Sequence, residues 1–268
     1  MNTNRLQNEQ ITRANYREYP ALNASRLKSI LSGGSVAHAD VERTERRSTT
    51  VSPMRFGTMV HELILEDADM DYVVKDWSAT TKSGKEKQSK VEMSGLDILT
   101  SEQDQAIRAI KSGMVEHPEI QELVESGMVE QPLLFDYRGR LCKSQIDLYS
   151  NKTLIDVKTT NNIVSFSKTF IDYHYDLQMA MYSIALLANG YELDKAQILV
   201  IETQAPFTIQ LLDIPDVLML GGERKIGLAL DMLEKAEQTK STKLPFRGTL
   251  DAPGWYLAKF VMDNDGEF

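Results

Sequence analysis

The sequence predicts a mixed α/β fold, in which a central mixed sheet carries an antiparallel meander and is flanked by helices. Three observations lead there. Three strand-like runs follow one another from Gly127 to Thr160, separated only by short turns at Arg138–Gly139 and Ser150–Lys152. Segments with helical spacing of apolar residues stand before and after that meander. Two more strand-like runs, Gln197–Glu202 and Phe207–Leu212, follow the second group of helices. This order places helices on the faces of one sheet.

Taken from the N-terminus, residues 1–20 read as irregular. Asn23 or Ser25 caps a short helix over Arg26–Leu31, which Gly33–Gly34 ends. The polar stretch Asp40–Thr50, with Arg43, Arg46 and Arg47, reads as a loop or helix edge. Ser52 as N-cap and Pro53 at the first helical position open a helix with the body MRFGTMVHELILE. A strand-like DYVVKDW follows, and then the lysine-rich Ser78–Gly95, which reads as a mobile loop or lid. Thr100 and Gln103 form a capping box for a helix carrying Ile107, Ile110 and Met114. Beyond the meander, helices are expected over Ile163–Asp172 and His174–Ala188, the second ended by Gly190. A long amphipathic helix is expected from about Pro215 to Gln238, followed by a short docked tail with Pro253, Gly254 and Trp255. The whole reads as a single domain over 1–268, with an N-terminal segment 1–50, a core 51–212, and a helix and tail 213–268.

Composition bounds the class. With 268 residues, 42% of them hydrophobic and 26% charged, the chain can bury a substantial core. No apolar run is long enough to span a bilayer, and the polar N-terminus has no signal-peptide core, so no membrane association is expected. The single cysteine, Cys142, excludes an intrachain disulfide framework and a cysteine zinc cluster. A reducing cytoplasm, bacterial or that of a phage-infected host, is the expected location. The net charge of −9 counts against a generally basic nucleic-acid binder, but phosphate affinity depends on local cationic patches.

The chemistry concentrates in LCKSQIDLYSNKTLIDVKTT, Leu141 to Thr160. Side chains alternate along a strand, so Leu154, Asp156 and Lys158 point one way, and Ile155 and Val157 the other. On the preceding strand Asp147 is expected to share a face with Lys143 and Gln145, with Ile146 and Leu148 turned away. Asp147 and Asp156 can supply hard oxygen ligands to a divalent cation, and Val157 its backbone carbonyl. Lys158 places an ammonium beside them, as phosphodiester hydrolysis requires. By itself D-x-K is short, and strand ends often carry Asp. Two further pairs at helical i,i+4 spacing join it: Gly57 with His61 upstream, and Gln178 with Tyr182 downstream.

The ordered set GTMVH, QID, LIDVKTT and DLQMAMY resembles the PD-(D/E)xK nuclease superfamily, in its RecB-like branch. Within that branch ALNASRLKSIL, MRFGTMVHELILE and DVKTT running on to FSKTFIDYHYDLQMAMYS resemble the phage and prophage exonuclease VIII (RecE-type) group. The resemblance spans about Tyr19 to Gln210 and implies a restriction-endonuclease-like nuclease core. It implies that His61, Asp147 and Asp156 are metal ligands with the Val157 carbonyl, that Lys158 is the catalytic lysine, and that Gln178 and Tyr182 support the site and contact DNA. Ile146 stands where the family's proline is usual, and Asp156 where Glu is common. The implied activity is a Mg²⁺-dependent exonuclease, with Mn²⁺ able to substitute. It would act on linear double-stranded DNA ends, 5′→3′, leaving 3′ single strands for an annealing or recombination protein. A ring-shaped homo-oligomer, trimer or tetramer, is implied as well. The alternatives are a structure-specific or restriction-type endonuclease of the same fold, and a non-catalytic DNA-binding protein built on it.

Ser25 and Arg26, at a helix start, and Arg55 are nominated as DNA-phosphate contacts, although Arg55 has acidic neighbours to pair with. Tyr173 and Tyr175 suit either stacking on bases or packing at a rim, and Lys82, Lys85, Lys87 and Lys90 either a DNA channel or a solvated loop. Glu62 and Glu66 are expected to face solvent. His117 and His174 lack evident ligand partners in the sequence.

Overall fold

A computed structural model describes residues 10–40, 50–66 and 70–243. The helices are α1 (Ala24–Gly33), α2 (Val36–Ala39), α3 (Pro53–Glu66), α4 (Lys82–Ser94), α5 (Ser101–Val115), α6 (Pro118–Ser126), α7 (Phe166–Asp172), α8 (Tyr175–Ala188) and α9 (Asp216–Thr239). The strands are β1 (Tyr72–Val74), β2 (Asp97–Leu99), β3 (Met128–Tyr137), β4 (Arg140–Ser150), β5 (Thr153–Thr160), β6 (Lys195–Glu202) and β7 (Ile209–Asp213). Strands β3 to β7 form one sheet in sequence order. Its pairings are antiparallel except β5–β6, which run parallel and are joined through α7 and α8. This is the mixed sheet with a meander that the sequence predicts. The short β1 and β2 pair in parallel outside it.

Two apolar clusters sandwich the sheet. On one face Leu27 and Ile30 of α1, together with α8 and α9, pack on Ile146, Leu154, Ile198 and Val200. On the other, Phe56, Met59, Val60, Leu63 and Ile64 of α3, with α5 and α6, pack on Leu148, Ile155, Val157, Leu199 and Ile201. The alternation along β5 follows the expected faces. That along β4 does not: Ile146 and Leu148 lie two apart yet belong to opposite clusters. The reason is a split in the sheet. The β4–β5 ladder holds only at Leu148–Ile155, Tyr149–Leu154 and Ser150–Thr153, after which the strands part.

Local signals set the element ends. The Asn23 side chain accepts from Arg26 N–H at the start of α1, and Gly34, at φ 67°, closes it in the left-handed conformation. Thr100 and Gln103 make the reciprocal capping box of α5. Ser52 Oγ accepts from Arg55 N–H at the head of α3. Helix α9 crosses α8 at Gly222, where a Cβ would sit 2.1 Å from the Asp176 carbonyl oxygen, so only glycine permits that approach. Lys225, one turn on, pairs with the buried Asp176 carboxylate at 2.7 Å.

Several expectations are corrected. Ser78–Gly95 is largely the helix α4, capped by Thr81 and ended by Gly95 in the left-handed conformation, rather than a loop. Its few apolar residues hid it, because it is anchored by polar contacts: Gln88 accepts from the Trp77 indole, and Lys87 pairs with Asp76 while lying 4.8 Å from the Trp77 ring centre. The short β2 and the helix α6 are additions, and α7 starts at Phe166 rather than Ile163. Residues 41–49 and the tail with Pro253, Gly254 and Trp255 lie outside the described residues.

Candidate metal and phosphodiester site

The split between β4 and β5 is where the nominated residues meet. Asp147 stands at the first position past the end of the ladder, and its Oδ2 accepts the Val157 N–H at 2.9 Å. The carboxylate thus takes the place of a strand partner and turns into the opening. Helix α3 brings His61 over the same opening, with Nδ1 3.6 Å from Asp147 Oδ2. Gly57 faces β5 at this approach, where a Cβ would meet Thr159 Oγ1 at a tight 3.3 Å. The Val157 carbonyl accepts from His61 and, at 3.0 Å, from Lys158 Nζ.

On the opposite side Asp156, fully buried, is held between α8 and its own strand neighbour. Its Oδ1 accepts from Gln178 Nε2 at 2.8 Å, and its Oδ2 lies 2.5 Å from Lys158 Nζ. The same Gln178 amide donates to Tyr182 Oη at 2.9 Å, while its oxygen accepts from Lys28 Nζ at 2.5 Å. The Gln178 amide therefore has a fixed orientation, with nitrogen toward the carboxylate and oxygen toward the lysine.

These contacts reshape the charges. Burial, then the Asp156 carboxylate, raises Asp147 well above the ordinary carboxylate range. Burial works against the charge on Lys158, but Asp156 and Asp147 outweigh it and hold the ammonium above the usual lysine value. Burial and the nearby Lys158 pull His61 down to about 4, so its imidazole is neutral and free to ligate at neutral pH. Burial and the two aspartates push Tyr182 well up, so it remains a phenol. Lys28 is lowered to about 8 by burial and by Lys158.

The donor set that lies together is His61, Glu130 and Asp147, each offering a ligand atom within 4.8 Å of the others. One imidazole and two carboxylates, with the Val157 carbonyl beside them, suit a hard or borderline divalent cation. Asp156 is not part of that cluster. It is engaged by Lys158 and Gln178. Glu130 is the residue that sequence reading missed, yet a signal was present. The tight turn after Tyr137 pairs Tyr137 with Arg140, and counting back along that register sets Glu130 directly across from Asp147. Glu130 has φ 49°, and the ladder skips its pair. Its Oε1 lies 4.0 Å from His61 Nδ1, its other oxygen accepts from Gln145, and burial raises its pKa.

The site opens into a cavity of about 530 Å³ whose rim includes Arg13, Tyr16 and Ser25. Glu62, half-buried, and Glu66, exposed as expected, also line it. They pair with Arg55 and Arg13, respectively. Of the nominated phosphate contacts Ser25 is exposed at the rim. Arg26 is instead paired with Asp40 at 2.7 Å, and Arg55 is clasped between Asp97 and Glu62, so each guanidinium already has a carboxylate partner. His117 faces Glu119, away from these residues, and His174 precedes α8 in the left-handed conformation.

Residues 23–244 match a family model described as a PDDEXK-like domain of unknown function (DUF3799). Among solved structures, that of an exonuclease candidate from Eubacterium rectale is 12% identical and superposes with a TM-score of 0.61 over 93% of this chain and 95% of that one. A phage-related exonuclease from Haemophilus somnus, 13% identical, covers 84% of this chain and 99% of its own at a TM-score of 0.35. No functionally curated protein matches the chain in sequence.

Proposed function

Because the chain belongs to the PDDEXK-like domain family, we propose that it is a divalent-metal-dependent exonuclease that hydrolyses phosphodiester bonds at the ends of linear double-stranded DNA. The observation that carries this reading is the cluster of His61, Glu130 and Asp147 in the β4–β5 split, with the Lys158 ammonium on the adjoining Val157 carbonyl. Bound by those three side chains, with Mg²⁺ expected and Mn²⁺ able to substitute, a divalent cation would supply Lewis-acid polarisation of a phosphoryl oxygen.

The chain's own residues account for the rest. Lys158, kept protonated by Asp156 and Asp147, offers a fixed positive charge to the phosphorane-like oxygens. Asp156 holds that ammonium in place. Gln178 fixes Asp156, and Tyr182 and Lys28 fix Gln178, so the lysine is positioned before substrate arrives. The reading extends to 5′→3′ polarity, 3′ single-stranded products passed to an annealing protein, and a ring of subunits around the duplex. Those extensions are supported by the resemblance to RecE-type exonucleases.

An end-labelled linear duplex and a covalently closed circle, each incubated with protein and Mg²⁺, test the proposal. The linear DNA is expected to be degraded and the circle spared, with chelator abolishing the activity. Cleavage of the circle would make the protein an endonuclease, and survival of both would reject catalysis.

A further inference from the structure

A second groove, of about 570 Å³, shares Pro53 and Thr159 with the lining of the acidic cavity. The two differ in chemistry. The acidic cavity is lined by Glu62, Glu66, Glu130 and Asp147, whereas among the described residues the lining of the second groove includes no lysine or arginine and one carboxylate, Glu102. Besides Glu102, its polar lining is neutral and includes the Thr159 hydroxyl and the exposed amides of Asn161 and Gln204. A groove without cations is poorly suited to grip a phosphate backbone. Hydroxyls and amides suit the hydrogen-bonding edges of bases.

Its wall is aromatic. Phe166, Tyr175 and Tyr173 form a stepped series, with ring centres 6.3 and 6.1 Å apart and planes inclined by only 23° and 21°. Phe166 is buried, but Tyr173, the last ring of the series, is 65% exposed and lines the groove. An exposed aromatic ring at the end of a stack offers an unused π-face. The middle ring ties the series to the reacting centre: Lys158 Nζ lies 5.2 Å, and Lys28 Nζ 4.7 Å, from the centre of the Tyr175 ring. Positive charge for a phosphate therefore stands against the middle ring of the series, and an open stacking face at its exposed end.

We propose that this groove is a nucleobase-binding track, in which Tyr173 stacks on a base of the strand whose phosphate lies at Lys158. The inference rests on the nuclease reading and adds a substrate form to it. A base inside a duplex already has both faces stacked, so this groove takes single-stranded nucleotides, a frayed or separated strand end. Thr159 and Thr160 continue β5 directly from Lys158, so the track begins where the scissile phosphate would sit.

The test uses a single-stranded oligonucleotide carrying 2-aminopurine, titrated in chelator against wild type, Tyr173→Phe and Tyr173→Ala. Stacking is expected to quench the probe with wild type and with Tyr173→Phe at similar affinity. Tyr173→Ala is expected to lose the quench and to bind about 10-fold more weakly. An abasic oligonucleotide of the same length is expected to bind wild type about as weakly as Tyr173→Ala binds the normal strand. Equal quench and affinity in wild type and Tyr173→Ala would overturn the proposal. Cleavage of linear duplex in Mg²⁺, run in parallel, separates the two readings: cleavage without Tyr173-dependent quenching rejects the track alone, whereas Tyr173-dependent quenching without cleavage supports the track and rejects the nuclease.

Discussion

Lys143 on β4 and Lys158 on β5 both draw an ammonium out of water on adjacent strands of one sheet, yet their partners differ in kind. Lys143 Nζ donates to three backbone carbonyls, those of Tyr16 at 2.5 Å, Tyr19 at 2.7 Å and Arg17 at 3.2 Å, and lies 4.8 Å from the centre of the Tyr16 ring. Burial lowers its pKa. Lys158 sits instead on a carboxylate and one carbonyl, and Asp156 and Asp147 together raise its pKa despite burial. The first lysine donates to carbonyls of the segment before α1 and fastens that segment onto the sheet. The second is part of a charged constellation that opens into a cavity. A buried lysine is therefore informative only through what holds it: neutral carbonyls mark a structural socket, whereas carboxylates beside an accessible split mark a site able to do chemistry.

Replacing each lysine by methionine is the strongest test of that contrast. Lys158→Met is expected to slow cleavage by roughly 10²–10³-fold or more while the protein stays folded, because it removes a fixed charge from the transition state. Lys143→Met is expected to leave cleavage per folded molecule nearly unchanged and to lower stability by about 1–3 kcal/mol, the cost of removing the donor shared by these part-buried carbonyls. Denaturant titration and single-turnover cleavage on both variants decide it. A catalytic defect in Lys143→Met at unchanged stability would break the comparison.

A smaller effect comes from pH. His61 has a folded-state pKa of about 4 against an ordinary 6.5, so between those values the unfolded chain binds the extra proton. Stability attributable to neutral His61 is full above pH 6.5 and is lost as pH falls toward 4, by up to about 3 kcal/mol. Asp147 works in the opposite sense, since its raised pKa favours the folded state as it protonates. His61→Gln isolates the first contribution. In chelator, its unfolding free energy is expected to fall less steeply than that of the wild type from pH 6.5 to 4, and parallel slopes would contradict the assignment. The smallest effect belongs to a third lysine. Lys87 meets Asp76 at the exposed edge of α4, and Lys87→Ala is expected to leave the cleavage rate unchanged and to lower the unfolding midpoint only slightly.

Much of the molecule was legible in order along the chain. The meander, the helix opened by Ser52–Pro53, the capping box at Thr100 and the alternation of Leu154, Asp156 and Lys158 against Ile155 and Val157 all follow from local periodicity and caps, which nearest neighbours determine. The polar helix α4 was not legible, because it has almost no apolar stripe and is held by Trp77 and Asp76 outside its own segment. Only the tertiary structure decided which acidic groups stand together. Strand alternation puts Asp147 and Asp156 on definite faces, but the parting of β4 from β5 turns Asp147 toward His61 and Glu130 while Lys158 and Gln178 keep Asp156. It also set Arg26 beside Asp40, and Arg55 beside Asp97 and Glu62. The physical reason is range. Spacing along a strand or helix fixes a side chain's direction, whereas a ligand cluster or an ion pair depends on where distant segments come to rest in three dimensions.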